Sequence, residues 1–149
     1  MTVGEICTRT VIIAPRETSV REAAKLMRER HTGDIVVADE FEGKRIPVGI
    51  VTDRDIVVEV LAEHLNPDQL SVGDIMTGTM VTARERDGIF ETIALMRGDG
   101  VRRMPIVDAS GALVGIVSLD DILELLAEEL GDLVGLIRQE RRKEIEARR

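Results

Sequence analysis

Hydrophobic residues along the chain follow two patterns that alternate with one another. Short apolar runs rich in β-branched residues predict strands: residues 11–14, "DIVVAD" at 34–39 and "VGIVT" at 48–52. Ser19 is a predicted helix N-cap because apolar residues follow it at helical spacing, Val20, Ala23, Ala24 and Met27. A second helix is predicted from Asp53 to about Glu63, so the element order is β-α-β-β-α.

The same order of elements then occurs again, because the sequence repeats itself. "VGEICTRTVIIA" from Val3 aligns with "VGDIMTGTMVTA" from Val72, 69 residues later (72 − 3). The second copy predicts strands at 80–83, "RMPIVD" and "VGIVS", a helix face of Ile89, Thr92, Ile93 and Met96, and a second helix from Leu119 to about Leu130. The repeat predicts an α/β protein, an α+β sandwich of two pseudo-symmetric halves.

Composition divides the chain into four segments. Residues 1–65 form the first repeat and 72–130 the second, while 66–71 are a polar linker that begins with a helix-breaking Asn-Pro pair. Residues 131–149 are a charged, helical tail.

The second helix of each repeat is apolar over a wide arc. Such an arc favours burial against another subunit and therefore predicts a homodimer. The apolar residues are Ile56, Val57, Val60 and Leu61 in the first repeat, and Ile122, Leu123, Leu125, Leu126 and Leu130 in the second.

The charge balance excludes several classes of partner. The formal net charge is −8, and an acidic protein repels nucleic acid and anionic membranes. No apolar run is long enough to span a membrane, and the one cysteine, Cys7, fits a reducing cytoplasm. Two histidines and one cysteine at unrelated spacings predict no metal site. There is no believable set of catalytic residues, so we expect a protein that is not an enzyme and uses no catalytic cofactor.

Each repeat places a hydroxyl and a carboxylate where its last strand meets its second helix. These are Thr52 with Asp55, and Ser118 with Asp121. One interpretation is structural, since a hydroxyl N-cap and an acid three residues later form a capping box. The other is a ligand site, in which the helix N-terminus and hydroxyl meet a phosphate and the carboxylate accepts from ribose hydroxyls. Arg102 and Arg103 would then supply the positive charge for the phosphate.

These motifs together resemble the cystathionine-β-synthase (CBS) domain family, and the tandem resembles its paired unit, the Bateman module. The resemblance covers residues 1–130, through "VGDIMT", "RRMPIVD" and "GALVGIVSLDDIL". It implies a regulatory sensor module that binds an adenosyl small molecule, such as AMP, ADP, ATP, S-adenosylmethionine or an NAD-type molecule, in clefts between the repeats. It also implies a homodimer and an unknown effector protein that receives the signal.

The resemblance also implies which residues form the two clefts. In the cleft that we expect to bind more tightly, Asp121 would meet the ribose, Ser118 and Arg103 with Arg102 the phosphate, and Ile116 the base. The base site would be completed by the first repeat, through Thr10, Ile12, Thr32 and Gly33. The second cleft would use Ile50, Thr52, Asp55, Thr79, Val81 and Val101.

The ranking of the clefts rests on an asymmetry between the repeats. Asp34 occupies the position that corresponds to Arg103, so an acid stands near Asp55 where the second repeat has a base. An unpaired acid there would repel phosphate unless His31, Lys44 or Arg54 compensates. An alternative function remains open at this point, which is a structural dimerisation module whose clefts are empty or vestigial.

Overall fold

The computed structural model describes residues 1–76 and 80–149, and its elements occur in the predicted order. The first repeat contains α1 (Val3–Ile6), β1 (Ile13–Ala14), α2 (Val20–Arg30), β2 (Asp34–Phe41), β3 (Lys44–Thr52) and α3 (Asp53–Asp55) followed by a π-helix (Ile56–Leu61). The second contains α4 (Val72–Ile75), β4 (Ala83–Arg84), α5 (Ile89–Asp99), β5 (Arg103–Val107), β6 (Leu113–Ser118) and α6 (Leu119–Ala147). Residues 1–117 and 118–149 form two compact units, described separately below.

Each repeat contributes one three-stranded sheet, ordered β1-β2-β3 and β4-β5-β6. In the first sheet β1 pairs parallel with β2, and β2 pairs antiparallel with β3. The antiparallel register sets Asp34 directly opposite Thr52, so the first residue of β2 lies beside the last residue of β3. The β2–β3 turn passes through Glu42 and Gly43, both at positive φ, which matches the twist of a tight hairpin.

The core of the first repeat lies between its sheet and α2. Ser19 caps α2 as predicted, since its side chain accepts a hydrogen bond from the Glu22 N–H. Val20, Ala23 and Met27 are buried as predicted, whereas Ala24 is exposed. The fourth position of the packed face is taken by Leu26, which lies against the cluster of buried residues. The observed face is therefore rotated slightly from the predicted one, because the larger side chain packs inward.

The short helices α1 and α4 were missed by the sequence analysis, and each contacts the other repeat. The Val3 and Gly4 N–H groups donate to the carbonyls of Asp87 and Glu85, at 2.8 and 2.9 Å. In the same way Val72 donates to Thr18 at 2.8 Å, and its side chain is part of the core of the first repeat. A four-residue helix is too short to show a hydrophobic period, so only the fold reveals it.

The glycine of each "VGIV" strand is explained by a close approach between the repeats. A Cβ at Gly49 would lie 2.5 Å from the Met76 Sδ, and a Cβ at Gly115 would lie 2.6 Å from the Cys7 Sγ. The backbone of Ile116 also exchanges two hydrogen bonds with that of Thr8, both at 2.9 Å. Side chains at these two positions would push the segments apart, so glycine permits the contact.

The second helix of the first repeat departs from the α-helix predicted for residues 53–63. After the turn Asp53–Asp55 it continues as a π-helix, in which the Ala62 N–H donates to the Val57 carbonyl at 2.9 Å. Its equivalent in the second repeat, α6, is a continuous helix of 29 residues that extends through most of the predicted tail. None of the helices in the described part of the chain is both long and apolar enough to cross a membrane.

Candidate functional site

The junction between β3 and α3 carries the hydroxyl–carboxylate pair of the first repeat. The Thr52 Oγ1 accepts from the Asp55 N–H at 3.1 Å, and the Asp55 Oδ2 accepts from the Thr52 N–H at 2.9 Å. Ser118 and Asp121 form the same reciprocal pair at the start of α6, with both distances at 3.1 Å. The capping-box interpretation is therefore confirmed at both junctions.

The capping box engages only one of the two carboxylate oxygens of Asp55. Its backbone bond is accepted by Oδ2, and within residues 1–76 and 80–149 no donor is hydrogen-bonded to Oδ1. An ionised carboxylate has acceptor sites on both oxygens. The structural role and a ligand role are thus compatible, because the cap holds the side chain in place while an acceptor remains.

A cavity of about 310 Å³ opens beside this junction and lies wholly within residues 1–117. Sites for small molecules commonly have volumes of about 300–1,000 Å³ and combine apolar walls with a few polar groups. The first repeat and the second repeat each supply half of the lining: Ile50, Thr52, Asp53, Arg54 and Asp55; Met80, Val81, Val101, Arg102 and Arg103. The cavity is therefore formed between the repeats.

The walls of this cavity divide into three chemically different parts. Aliphatic side chains from both repeats form one part, Ile50, Met80, Val81 and Val101. Thr52 and Asp55 form a second, polar part. The third part contains charged residues, the three arginines Arg54, Arg102 and Arg103 and the acids Asp53 and Asp55.

Asp34, the acid expected to oppose phosphate binding near Asp55, forms an ion pair with Arg103. The Asp34 Oδ1 lies 3.0 Å from the Arg103 Nε, and the side chain of Asp34 is only 17% exposed. The Thr32 hydroxyl lies 3.4 Å from the same carboxylate oxygen. The premise behind the ranking of the clefts is thus corrected, because Arg103 neutralises Asp34 and lines the Thr52–Asp55 cavity together with Arg102.

Five of the six residues predicted for the second cleft are brought together around this cavity. These are Ile50, Thr52, Asp55, Val81 and Val101, while the sixth, Thr79, lies outside the described residues. Asp53 and Met80 were not foreseen, and Arg54 was foreseen as a compensating charge. Met80 immediately precedes Val81, and Asp53 follows Thr52, so their adjacency to predicted residues is the signal that was available.

The residues predicted for the Ser118–Asp121 cleft lie in several different parts of the structure. Thr10 and Ile12 line a separate, open depression of about 860 Å³. Gly33 accepts a hydrogen bond from the Asp53 N–H at 2.9 Å, which ties it to the wall of the smaller cavity. Ile116 is held by Thr8 as described above, and Ser118 with Asp121 begins α6.

One acid that lines the open depression, Asp39, is held in an ion pair by Arg16. The Arg16 guanidinium donates three hydrogen bonds to the Asp39 carboxylate, two from Nε at 2.8 and 3.0 Å and one from Nη2 at 2.9 Å. The hydrogen bond from Arg16 lowers the pKa of Asp39 below the ordinary carboxyl value. Among the residues that the structure describes, no group of three or more His, Cys, Asp or Glu side chains is arranged to hold a metal ion.

Comparison with known proteins gives the same pair of repeats. The family model for the CBS domain matches the chain twice, at residues 3–62 and 72–128. The chain is 42% identical over 126 residues to an uncharacterized protein of Methanopyrus kandleri, MK0525, a match that covers 84% of this chain and 62% of that protein. The chain thus spans less than two thirds of that relative.

Two further similarities bear on ligands and on larger proteins. The solved CBS domain pair of protein MJ0100, in complex with 5-methylthioadenosine and S-adenosyl-L-methionine, is 29% identical with a TM-score of 0.74, over 87% of this chain and 98% of that one. Inosine-5'-monophosphate dehydrogenase of Thermoplasma acidophilum is 32% identical over 118 residues, 79% of this chain but only 22% of the enzyme. The similarity therefore concerns a module that also occurs within larger chains.

Proposed function

Because the chain belongs to the CBS domain family, as a tandem pair, we propose that it is a regulatory module that binds an adenosyl ligand in the Thr52–Asp55 cavity. The observation that carries the proposal is one cavity that combines an aliphatic wall, a positioned carboxylate and three arginines. Each part matches one part of a nucleotide, namely the base, the ribose and the phosphate. The ligand of the MJ0100 pair, an adenosyl compound, supports the same class.

The aliphatic wall suits a purine ring. Ile50 comes from β3, while Val81 and Val101 come from the second repeat, so a flat ring between them would lose its water on both faces. Aromatic residues are not needed for this contact, which agrees with a chain that contains only two of them. The base would therefore be held by contacts from both repeats at once.

The Asp55 carboxylate is placed to accept hydrogen bonds from the ribose hydroxyls of the ligand. Its Oδ2 is fixed by the capping bond, and Oδ1 faces no competing donor among the described residues. Hydrogen bonds that involve a charged partner contribute about 1.5–3 kcal/mol each. The capping hydrogen bond already orders the Asp55 side chain before a ligand binds. Accepting hydrogen bonds from ribose hydroxyls therefore costs no further side-chain rotamer entropy, which makes binding more favourable.

The three arginines favour a phosphorylated ligand over a sulfonium compound. Guanidinium groups bind phosphate oxygens two at a time, and since Arg103 is already paired with Asp34, Arg54 and Arg102 are the two lining guanidinium groups that form no ion pair among the described residues. S-adenosylmethionine brings a positive sulfonium toward the same groups. We therefore propose AMP, ADP or ATP as the ligand, bound more tightly than S-adenosylmethionine.

The signal in this proposal passes to a partner protein. In the proposed function the module is regulatory and not an enzyme, and it acts as a cytoplasmic homodimer on an effector protein. A ligand shifts a conformational or dimer equilibrium only by its difference in affinity for the two states. The alternative, a structural dimerisation module with vestigial clefts, predicts no ligand binding at all.

Isothermal titration calorimetry tests the proposal with AMP, ADP, ATP, adenosine and S-adenosylmethionine. We expect saturable binding of the phosphorylated ligands, and Arg102→Ala should weaken AMP while leaving adenosine unchanged, because the guanidinium meets only phosphate. Arg138→Ala, on α6 and outside the cavity, is the matched control. Absence of binding by all five compounds would overturn the proposal and favour the structural alternative.

A further inference from the structure

Helix α6 carries a regular row of exposed leucine and isoleucine side chains. Five apolar residues follow one another at intervals of three, four, three and four residues, and each is between 36% and 62% exposed: Leu123, Leu126, Leu130, Leu133 and Ile137. We call this row the α6 seam. The 3-4-3-4 spacing is the spacing of a coiled-coil interface, in which two helices cover each other's row.

The charges of α6 are divided between its two halves. Residues 119–137 contain six acids, Asp120, Asp121, Glu124, Glu128, Glu129 and Asp132, and no lysine or arginine. Residues 138–149 contain six basic residues, Arg138, Arg141, Arg142, Lys143, Arg148 and Arg149, against three glutamates. One end of the helix is therefore acidic and the other basic, which makes the helix complementary to a reversed copy of itself.

We propose that α6 pairs antiparallel with α6 of a second copy of this chain through the α6 seam. In this alignment Leu126 packs on Ile137 of the second copy and Leu130 packs on Leu133, with the symmetric pairs completing four apolar layers. Asp120 and Asp121 then lie level with Lys143 and Arg142 of the other helix. A parallel pair would place like charges level along the whole length, which opposes association.

This interface specifies the homodimer of the proposed function without depending on the ligand. It concerns only residues of α6, whereas the nucleotide cavity lies within residues 1–117. The two proposals therefore fail separately, since AMP titration reports on the cavity and sedimentation reports on the seam.

Sedimentation equilibrium of the full chain tests the association. We expect a dimer for the natural sequence, and Leu130→Asp with Leu133→Asp should raise the dimer dissociation constant by roughly 1,000-fold, because carboxylates replace all of the central layers. Ile145→Asp is the matched control, since Ile145 is an exposed apolar residue of the same helix outside the α6 seam. Circular dichroism confirms that both variants remain helical. A monomeric natural chain, or a double variant that still dimerises like the control, would overturn the proposal.

A distance measurement tests the orientation. A spin label on Gln139→Cys, in a Cys7→Ser background, should lie roughly 22 Å along the axis from its copy in the antiparallel pair, from 15 residues at about 1.5 Å each. In a parallel pair the two labels would be level, separated only by the interhelical distance of about 8–10 Å. A short separation would overturn the antiparallel arrangement even if the dimer persists.

Discussion

The two repeats differ most at a pair of equivalent positions, residues 34 and 103. The first repeat has an aspartate there and the second an arginine, although the surrounding strands begin in the same way. In the structure these two side chains meet, with 3.0 Å between the Asp34 Oδ1 and the Arg103 Nε. Two acids or two bases at these positions would repel each other, so the difference between the repeats creates one attractive contact between them.

The same difference makes the two hydroxyl–carboxylate motifs unequal. Thr52–Asp55 and Ser118–Asp121 have almost identical capping geometry. The Thr52–Asp55 motif, however, shares its cavity with Arg54, Arg102 and Arg103. The capping geometry is therefore the same in both repeats while the surrounding charge is not, so in the proposed function the Thr52–Asp55 motif is the one that lies beside the phosphate.

The largest expected effect compares Asp55→Ala with Asp121→Ala. We expect Asp55→Ala to weaken AMP binding by roughly 10- to 100-fold, the equivalent of losing about 1.5–3 kcal/mol of charged hydrogen bonds. Asp121→Ala should weaken binding at the Thr52–Asp55 cavity by less than twofold. Calorimetry measures both affinities, and thermal unfolding without ligand corrects for the loss of each helix cap. A larger loss for Asp121→Ala would restore the ranking that sequence reasoning favours.

Next in size is the contrast between Gly4→Ala and Gly73→Ala, in the short helices α1 and α4. A Cβ at Gly4 would lie 2.6 Å from the Glu85 carbonyl oxygen, so the free energy of unfolding should fall by about 1–3 kcal/mol. At Gly73 the closest atom, the Arg16 carbonyl oxygen, is 3.1 Å away, and the gain in helix propensity of up to about 1 kcal/mol offsets the contact. Urea unfolding measures both values. Equal destabilisation would show that the two docking contacts are equally tight.

A smaller effect is expected from the Asp34–Arg103 pair. Asp34→Asn, Arg103→Gln and the double variant form a cycle whose coupling free energy we expect to be about 0.5–1 kcal/mol, since the two side chains are 17% and 36% exposed. Arg9→Gln with Glu85→Gln is a control cycle on a more exposed pair, which should couple more weakly. A coupling of zero at Asp34–Arg103 would mean that the ion pair contributes nothing to holding the repeats together.

The smallest effect compares Asp39→Asn with Asp108→Asn, again at equivalent positions. The hydrogen bond from Arg16 lowers the pKa of Asp39, while the Ser110 hydroxyl lowers the pKa of Asp108. A lowered pKa in the folded state means that each carboxylate stabilises the fold above the ordinary carboxyl pKa and loses that contribution as the pH falls through the folded value. The stability difference between the natural chain and Asp39→Asn should therefore vanish in acid.

The salt dependence of unfolding should distinguish Asp39→Asn from Asp108→Asn. Asp39 faces an exposed arginine, so its contribution should shrink at high ionic strength, because salt screens exposed charges. Asp108 accepts from the backbone of Ser110 and Ala112, and the side-chain oxygen of an asparagine accepts the same bonds. Asp108→Asn should then cost less free energy of unfolding than Asp39→Asn and depend less on salt, because the hydrogen bonds remain while only the charge is lost. Equal salt dependence for both variants would contradict this assignment.

Local sequence features were sufficient for the elements of the fold and for the caps. The repeat, the two longer strands of each repeat and the N-caps at Ser19, Thr52 and Ser118 are confirmed, because each depends on residues within one helical turn or one strand. The strands predicted at 11–14 and 80–83 are reduced to Ile13–Ala14 and Ala83–Arg84. The helices α1 and α4 and the π-helix of the first repeat were missed. The first two are too short to show a period, and the π-helix has the same hydrophobic pattern as an α-helix.

By itself the sequence determined that the chain is a tandem repeat of β-α-β-β-α units with a hydroxyl and a carboxylate at the end of each. These are properties of nearby residues and of their spacing. Only the tertiary structure decided that Asp34 is neutralised by Arg103 and that Arg102 and Arg103 line the Thr52–Asp55 cavity. Residues 69 positions apart (103 − 34) meet only after both sheets have formed, so charges that look unfavourable one repeat at a time become complementary between repeats.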